Sequence, residues 1–169
     1  NHAANWNYMT GGKVSVPLVI RGVVNRGNEQ AAQHSQSPHA MYAHIPGLKV
    51  VTPASPADAK GLLVASVRDP NPVIYMDERW LYRTEGEVPD GLFETPIGKA
   101  RVVREGSDLT LVALSYALPL AENAARELEQ EGLSIEIIDP RTVKPLDRET
   151  ILASVRKTGR LLVADSGWL

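Results

Sequence analysis

Short apolar runs alternate with polar segments along this 169-residue chain. The run Val16–Ile20 is typical of strands that are buried on both faces of a parallel sheet. Further strands are predicted at Leu48–Val51, Val73–Met76, Ala100–Val103, Leu109–Leu114, Ile135–Ile138 and Leu161–Ala164. The hydrophobic pattern therefore predicts strands spread along the whole chain.

Segments compatible with helices separate most of these strands. The pairs Ser37-Pro38 and Ser55-Pro56 each predict a helix start, with serine as the N-cap and proline in the first turn. Residues 1–9 can also form a helix, which Gly11-Gly12 would end in a left-handed turn. Further helices are predicted around Leu118–Gln130 and over Asp147–Lys157. This alternation predicts an α/β protein with mainly parallel sheets and flanking helices.

Residues 79–96 interrupt the alternation. Glycine and proline recur there, and no hydrophobic period survives, so this stretch is the predicted linker. We therefore expect two α/β units, one over residues 1–78 and one over residues 97–169.

The first polar loop is the predicted functional site. Open α/β sheets bind ligands beyond the carboxyl ends of their strands, and Gly22–Gln36 is a long polar loop after a predicted buried strand. Within it, His34 is a candidate acid or base because an imidazole titrates near neutral pH. The alternative is a hydrogen-bonded loop histidine without a chemical role.

The other titratable residues give weaker signals. His39 and His44 follow His34 at five-residue intervals, which do not share a helix face, so no metal pair is expected, and His2 and His44 are expected to be packing or surface residues. Capping and surface roles are expected for Asp58, Asp69, Asp77 and Glu78. Asp69-Pro70-Asn71-Pro72 is either a plain helix-ending turn or a source of oxygen ligands for a hard cation.

Composition excludes several classes of protein. The net charge of −2 argues against electrostatic binding to nucleic acid or to an anionic membrane. Because the chain contains no cysteine, disulfides and thiolate sites are excluded. Its apolar runs are shorter than the roughly 18 residues of a membrane span.

Several segments together resemble the beta subunits of pyruvate, branched-chain 2-oxo acid and acetoin dehydrogenases. The resemblance extends over essentially the whole chain. It is carried by NHAA (1–4), YMTGG (8–12), VPLVIRG (16–22), AAQHSQSPHAMYAHIPGLKVV (31–51), PADAKGLL (56–63), RDPNPVIY (68–75), PIGKARVVREGSDLTLV (96–112), IDPRTVKPLD (138–147) and SVRKTGRLLVAD (154–165).

The resemblance implies part of a thiamine-enzyme pyrimidine-binding domain, followed by part of a transketolase-type C-terminal domain. It also implies thiamine diphosphate shared with an alpha subunit that holds magnesium, in an alpha-beta heterotetramer. His34 matches the family's active-site histidine, and Gln33 would lie beside it at the aminopyrimidine. A small 2-oxo acid substrate, a lipoyl acyltransferase core as partner and a cytoplasmic location follow from the same resemblance.

The resemblance further implies a potassium site, which some family members have. Its ligands would be main-chain and side-chain oxygens of Leu18, Ser66, Val67, Asp69 and Asn71. The expected role of the ion is to fix the helix end that supports the His34 loop.

Two departures from the family pattern matter. The family's pyrimidine-binding glutamate corresponds to a position upstream of residue 1, so this chain is expected to be inactive alone and to self-associate through exposed apolar surface. In Gly22–Gln30, Arg26 and Glu29 introduce charges, which suggests a less usual 2-oxo acid substrate.

Two other readings remain open. One is a different thiamine enzyme, of the transketolase or deoxyxylulose-phosphate-synthase type, although the AAQHSQ run favours the dehydrogenases. The other is a non-catalytic scaffold that retains only subunit interfaces.

Overall fold

The computed structural model describes residues 1–25 and 31–167. In this part of the chain the helices are α1 (His2–Met9), α2 (His39–His44), α3 (Pro56–Arg68), α4 (Ala117–Gln130) and α5 (Arg148–Thr158). The strands are β1 (Val19–Val24), β2 (Lys49–Val51), β3 (Val73–Glu78), β4 (Arg101–Arg104), β5 (Leu109–Ala113), β6 (Ile135–Asp139), β7 (Thr142–Lys144) and β8 (Leu161–Ala164). Short 3-10 turns occur at Ala32–His34 and Arg79–Leu81.

The first sheet has the strand order β1-β3-β2-β7. β1 and β2 both pair in parallel with β3, and Val24 lies opposite Glu78 in the register. The carboxyl ends of β1, β2 and β3 therefore meet at the same edge of this sheet. β7 pairs antiparallel with β2, so a strand from the second half of the sequence completes the first sheet.

The second sheet has the order β4-β6-β5-β8. β5 pairs in parallel with both β6 and β8, whereas β4 is antiparallel to β6. The prediction of mainly parallel α/β sheets is confirmed by this arrangement. The edge strand β8 leaves Leu161, Leu162 and Val163 about half exposed, which is the kind of apolar edge expected to favour association.

The first sheet is covered on both faces by helices. On one face Leu62 of α3 packs against Val51, Val73 and Tyr75. The core on the other face consists of Ala4, Val24, Leu48, Val50, Ile74 and Met76. Burial of each large aliphatic side chain contributes about 1.5–3 kcal/mol, so these two layers hold the strand ends in register.

Helix α4 packs on the second sheet through a narrow stripe of apolar side chains. Leu118, Ala121 and Ala125 recur at three- and four-residue spacing on its buried face. They pack against Leu111 and Ile137 of the sheet. The small alanine side chains allow the helix to lie close to the strands.

Two helices begin where the sequence predicts, and each has a side-chain N-cap. The Asp58 N–H donates to Ser55 Oγ at 3.2 Å, and Pro56 is the first residue of α3. The Thr150 N–H donates to Asp147 Oδ1 at 3.2 Å, which caps α5. Each cap satisfies a backbone donor that the helix itself leaves unpaired.

Other local predictions were wrong. The first strand begins at Val19 rather than Val16, and it is a half-exposed sheet edge in this chain instead of being buried on both faces. The Ser37 side chain does not cap α2, whose N-cap is Pro38. Strand Thr142–Lys144 was not predicted, because three residues of mixed polarity carry no strand period.

An ion cluster with two buried carboxylates joins the two sheets. We call Asp58, Arg101, Asp139 and Arg141 the sheet-linking cluster. Arg141 Nη2 lies 3.0 Å from Asp58 Oδ1, while Arg101 Nη2 lies 3.6 Å from Asp58 and 3.7 Å from Asp139. Since Asp58 belongs to α3 and is almost fully buried, the surface role predicted for it is wrong, although it does interact with the cap residue Ser55. Two arginine charges balance two buried carboxylates at this junction.

Asp139 is the most strongly perturbed acid of the cluster. Burial raises the pKa of Asp139 to about 6, against the opposing effects of the Arg141 N–H bond and the arginine charges. The folded state therefore takes up a proton near pH 6, whereas the unfolded chain does so near the ordinary value of 3.8. Ionised Asp139 thus weakens the fold above pH 6, and this cost is relieved as the pH falls.

We predict that Asp139→Asn removes this pH dependence. Between pH 7 and pH 5, the free energy of unfolding of the unmodified protein should rise by about 1 kcal/mol relative to that of the variant. Urea unfolding at both pH values measures this difference. Asp90→Asn, at an exposed position, is the matched control and should follow the unmodified protein. The prediction would be contradicted if the unmodified protein and Asp139→Asn differed in free energy of unfolding by the same amount at pH 7 and at pH 5.

Candidate functional site

Three buried polar residues mark the carboxyl ends of the parallel strands in the first sheet. Asn25 follows β1, Thr52 follows β2 and Glu78 ends β3, and they are 1%, 2% and 1% exposed. We call this set the strand-end edge. The surface role predicted for Glu78 is wrong, since its carboxylate lies inside the fold. The polarity pattern of the sequence does not predict this burial. An acidic residue at the end of a strand gives the same pattern whether its side chain faces solvent or the interior.

Part of the strand-end edge lacks hydrogen-bond partners. The carboxamide nitrogen and oxygen of Asn25 and the hydroxyl of Thr52 are buried and find no partner among the residues that the structure describes. The hydroxyl of Ser35 is likewise buried without a hydrogen-bond partner among these residues. Unpaired buried polar groups cost free energy, and they are retained where a ligand or water satisfies them.

The segment that carries His34 contacts this same edge. We call residues 31–38 the His34 segment. It meets the end of β1, where the Asn25 N–H donates to the Gln36 carbonyl at 3.4 Å. His34 ends a 3-10 turn, and both His34 and Gln33 are exposed. The imidazole is thus accessible beside the strand ends.

Parts of the predicted loop differ from expectation or remain undescribed. β1 extends to Val24, so the loop begins at Asn25 rather than at Gly22. Arg26 and Glu29 lie outside the described residues, and the substrate hypothesis attached to them stays a prediction. His2 and His44, which were expected to be packing or surface residues, are both exposed.

A second polar group lines a cavity on the α3 face of the first sheet. The cavity has a volume of about 480 Å³. Arg21 Nη2 donates to Asp77 Oδ2 at 2.6 Å and to Tyr82 Oη at 2.9 Å, and Tyr82 Oη donates to Asp77 Oδ2 at 2.6 Å. Burial and the hydrogen bond to Asp77 raise the pKa of Tyr82, so its hydroxyl remains a donor. This network was not predicted, because its members lie on three separate elements.

The predicted cation ligands lie where α3 leads into β3, next to the start of β1. The Leu18 carbonyl accepts from the Val73 N–H at 2.9 Å, and the Ser66 carbonyl accepts from the Asp69 N–H at 3.3 Å. Asp69 Oδ1 accepts from the Asn71 N–H at 2.9 Å, and its other oxygen pairs with the Lys49 ammonium. The Val67 side chain is exposed. Hard oxygen donors are therefore present, and Lys49 already neutralises the carboxylate among them.

Sequence profiles of two domain families match this chain. The profile described as transketolase, pyrimidine binding domain, matches residues 1–85, and the profile described as transketolase, C-terminal domain, matches residues 98–169. The chain belongs to the transketolase family. The resemblance stated from the sequence motifs, and the two-domain transketolase-type fold that it implied, are both confirmed.

Transketolase-family relatives extend across nearly the whole chain. The acetoin:2,6-dichlorophenolindophenol oxidoreductase subunit beta of Cupriavidus necator is 48% identical over 98% of this chain and 49% of its own length. The pyruvate dehydrogenase E1 component subunit beta of Rhizobium meliloti is 50% identical over 99% of this chain and 37% of its own length. The chain thus spans about half the length, or less, of these curated relatives.

A solved structure shares the fold. A split gene transketolase, described as an inactive beta4 tetramer, superposes with a TM-score of 0.74 at 28% identity. The match covers 96% of this chain and 54% of that one.

Two features are absent from the part of the chain that the structure describes. In residues 1–25 and 31–167, no helix combines the length and apolar character needed to cross a membrane. The same ranges contain no group of three or more His, Cys, Asp or Glu side chains arranged to hold a metal ion.

We predict that Thr52→Val stabilises the unliganded protein. Valine keeps the shape of threonine and removes a buried hydroxyl that has no partner in the described structure, so the free energy of unfolding should rise by about 1 kcal/mol. Thr110→Val is the matched control. The Thr110 hydroxyl is buried and lies 2.6 Å from Ser154 Oγ and 2.7 Å from Thr158 Oγ1, so this change should be destabilising. Urea unfolding measures both changes. Equal losses of stability in the two variants would show that the Thr52 hydroxyl already has a hydrogen-bond partner.

Proposed function

We propose that this chain is part of the beta subunit of a thiamine-diphosphate-dependent 2-oxo acid dehydrogenase component. In this proposal it forms the aminopyrimidine side of the cofactor site. The observation that carries the proposal is the exposed His34 imidazole beside the carboxyl ends of parallel strands, within a chain about half identical to such beta subunits. Open α/β folds bind their ligands at this place.

The residues of the strand-end edge fit a polar heterocycle. The Asn25 carboxamide offers both a donor and an acceptor, and the Thr52 hydroxyl offers either, without a partner in the described structure. Gln33, which is exposed next to His34, can supply a further amide at the rim. A bound aminopyrimidine has the donors and acceptors to satisfy such groups.

His34 is proposed as the catalytic residue. Thiamine diphosphate, when bound, supplies an electron sink for decarboxylation of a 2-oxo acid. The His34 side chain would donate or accept a proton at the reacting oxygen and stabilise negative charge there. Its exposure lets the imidazole reach a substrate that enters from solvent or from a neighbouring subunit.

The remaining features of the site depend on partners. An alpha subunit would hold the cofactor diphosphate and magnesium in an alpha-beta heterotetramer, and a lipoyl acyltransferase core would accept the acyl group. The relatives named as pyruvate dehydrogenase E1 beta subunits support this assembly. A small 2-oxo acid substrate and a cytoplasmic location belong to the same proposal.

A transketolase-type or deoxyxylulose-phosphate-synthase-type activity is the weaker candidate. The transketolase structure is 28% identical to this chain, against 48% and 50% for the acetoin and pyruvate relatives. A non-catalytic scaffold would retain the fold and the partner surfaces without any effect of His34 on turnover.

The central test uses the full-length subunit purified together with its alpha partner. His34→Ala should lower kcat for a 2-oxo acid by about 10²- to 10⁴-fold, because a positioned acid or base contributes this much. Thiamine diphosphate affinity, measured by calorimetry, should change far less. His44→Ala is the matched control, since His44 is also exposed and lies at the far end of α2. Unchanged turnover in His34→Ala would exclude the catalytic role.

We further propose a potassium site formed by Leu18, Ser66, Val67, Asp69 and Asn71. Main-chain carbonyls retain a second lone pair after accepting one hydrogen bond, so they could hold a monovalent ion beside the Lys49–Asp69 pair. Binding of an ion to the folded state alone raises stability by mass action.

This site predicts a specific salt effect. The melting temperature should be higher in potassium chloride than in sodium chloride at the same ionic strength, and Asp69→Asn should remove the difference. Glu94→Gln, at an exposed carboxylate that pairs with Arg68, should leave it intact. Identical melting temperatures in the two salts would rule the site out.

A further inference from the structure

A buried histidine and an aspartate meet between the two halves of the molecule. His39 is the first residue of α2 and is 3% exposed. Its Nε2 lies 2.9 Å from Oδ2 of Asp165, a residue 126 positions away in the sequence. Asp165 directly follows β8 of the second sheet, whereas α2 packs against β2 and β7 of the first.

The direction of this hydrogen bond follows from the charge on Asp165. Burial acts to raise the pKa of Asp165, but the hydrogen bonds from His39 and from the Gly167 N–H outweigh it and hold the pKa below its ordinary value. The carboxylate is therefore ionised at neutral pH and can only accept. His39 Nε2 must then carry the hydrogen, which fixes the ring orientation.

The turn after β8 is shaped around the imidazole. The Gly167 N–H donates to Asp165 Oδ1 at 3.0 Å, which leaves Oδ2 to face His39. A Cβ atom at Gly167 would lie 3.0 Å from His39 Nε2 and 3.2 Å from Asp165 Oδ2. Ser166 Oγ also lies 3.3 Å from Ser37 Oγ in the His34 segment. Two consecutive residues of the turn, Asp165 and Ser166, thus contact the stretch from Ser37 to His39.

These contacts bear on the His34 segment because they hold its C-terminal end. The same end is also held where the Asn25 N–H donates to the Gln36 carbonyl, in a long hydrogen bond of 3.4 Å. His34 itself is exposed and forms only local backbone bonds among those that the structure describes, such as its N–H to the Ala31 carbonyl at 3.3 Å. The position of the imidazole therefore depends on how firmly this C-terminal end of the segment is held.

We propose that the His39–Asp165 pair is a positioning device that fastens the His34 segment to the second sheet and thereby orients His34 for catalysis. This inference rests on the proposed function only for the catalytic role of His34. His39 acts through the segment and does not contact the reacting atoms. The ordering of the segment by the pair is a separate claim that can be measured without any activity.

The kinetic test uses the full-length subunit together with its alpha partner. His39→Ala should lower kcat by about ten- to a hundredfold, because displacement of a catalytic group by about 1 Å has effects of this size, while KM changes little. His39→Gln should recover most of the loss, since its amide nitrogen can donate to Asp165 from a similar position. Gly167→Ala should give an intermediate loss, because its methyl group presses on the His39 ring.

A double-mutant cycle tests whether His39 and Asp165 act as a pair or independently. If His39 and Asp165 act together, His39→Ala combined with Asp165→Ala should be no slower than the worse single variant. His44→Ala is the control for removal of a histidine from α2 and should keep the unmodified kcat. The inference would be overturned if the kcat losses of the two single variants multiplied in the double variant. It would also be overturned if His39→Gln stayed folded but did not recover activity.

Hydrogen exchange tests the ordering directly. His39→Ala and Asp165→Ala should speed exchange of the amides in residues 32–38 by at least about tenfold, while the amides of α3 and β3 remain as protected as before. Unchanged exchange in residues 32–38 would overturn the positioning claim.

The turnover of the His34→Ala and His39→Ala variants also separates this inference from the proposed function. If His34→Ala has no effect on turnover, the proposed function fails, and the catalytic part of this inference fails with it. If His34→Ala is inactive and His39→Ala keeps the full kcat, the proposed function stands and the positioning role is excluded.

Discussion

The parallel pairing of β1 and β2 with β3 is the constraint on which the other features depend. Because Val24 lies opposite Glu78, the residues that leave β1 and β2 emerge at the same edge as the end of β3. Asn25, Thr52 and Glu78 are then buried at strand ends, and the His34 segment contacts this edge through Gln36. A one-residue change of register would turn these side chains to the opposite face and disperse the site.

The second sheet supports this edge through contacts that cross between the halves of the chain. β7 adds to the first sheet, and the Lys144 ammonium donates to the Ala43 carbonyl at 2.8 Å, at the end of α2. The sheet-linking cluster holds α3 to β4 and β6, and the His39–Asp165 pair holds the start of α2 to the end of β8. Helices on both sides of the strand-end edge are therefore fixed by charged or hydrogen-bonded contacts to the second sheet.

Local signals predicted much of the fold but little of the site. The Ser55-Pro56 helix start and the apolar run of β3 were predicted because both are determined by neighbouring residues. The position of His34 on a strand-end loop followed from the order of elements, whereas its role came from the family resemblance. The burial of Glu78 and the pairing of His39 with Asp165 could not be predicted, because they depend on residues brought together only by folding.

The most direct test of the account is a structure of the full-length subunit with its alpha partner, thiamine diphosphate and magnesium. The account predicts that the aminopyrimidine ring lies at the edge formed by Asn25, Thr52 and Glu78, with the His34 imidazole facing the reactive side of the cofactor. A cofactor bound elsewhere, with this edge covered by ordinary apolar packing, would contradict it.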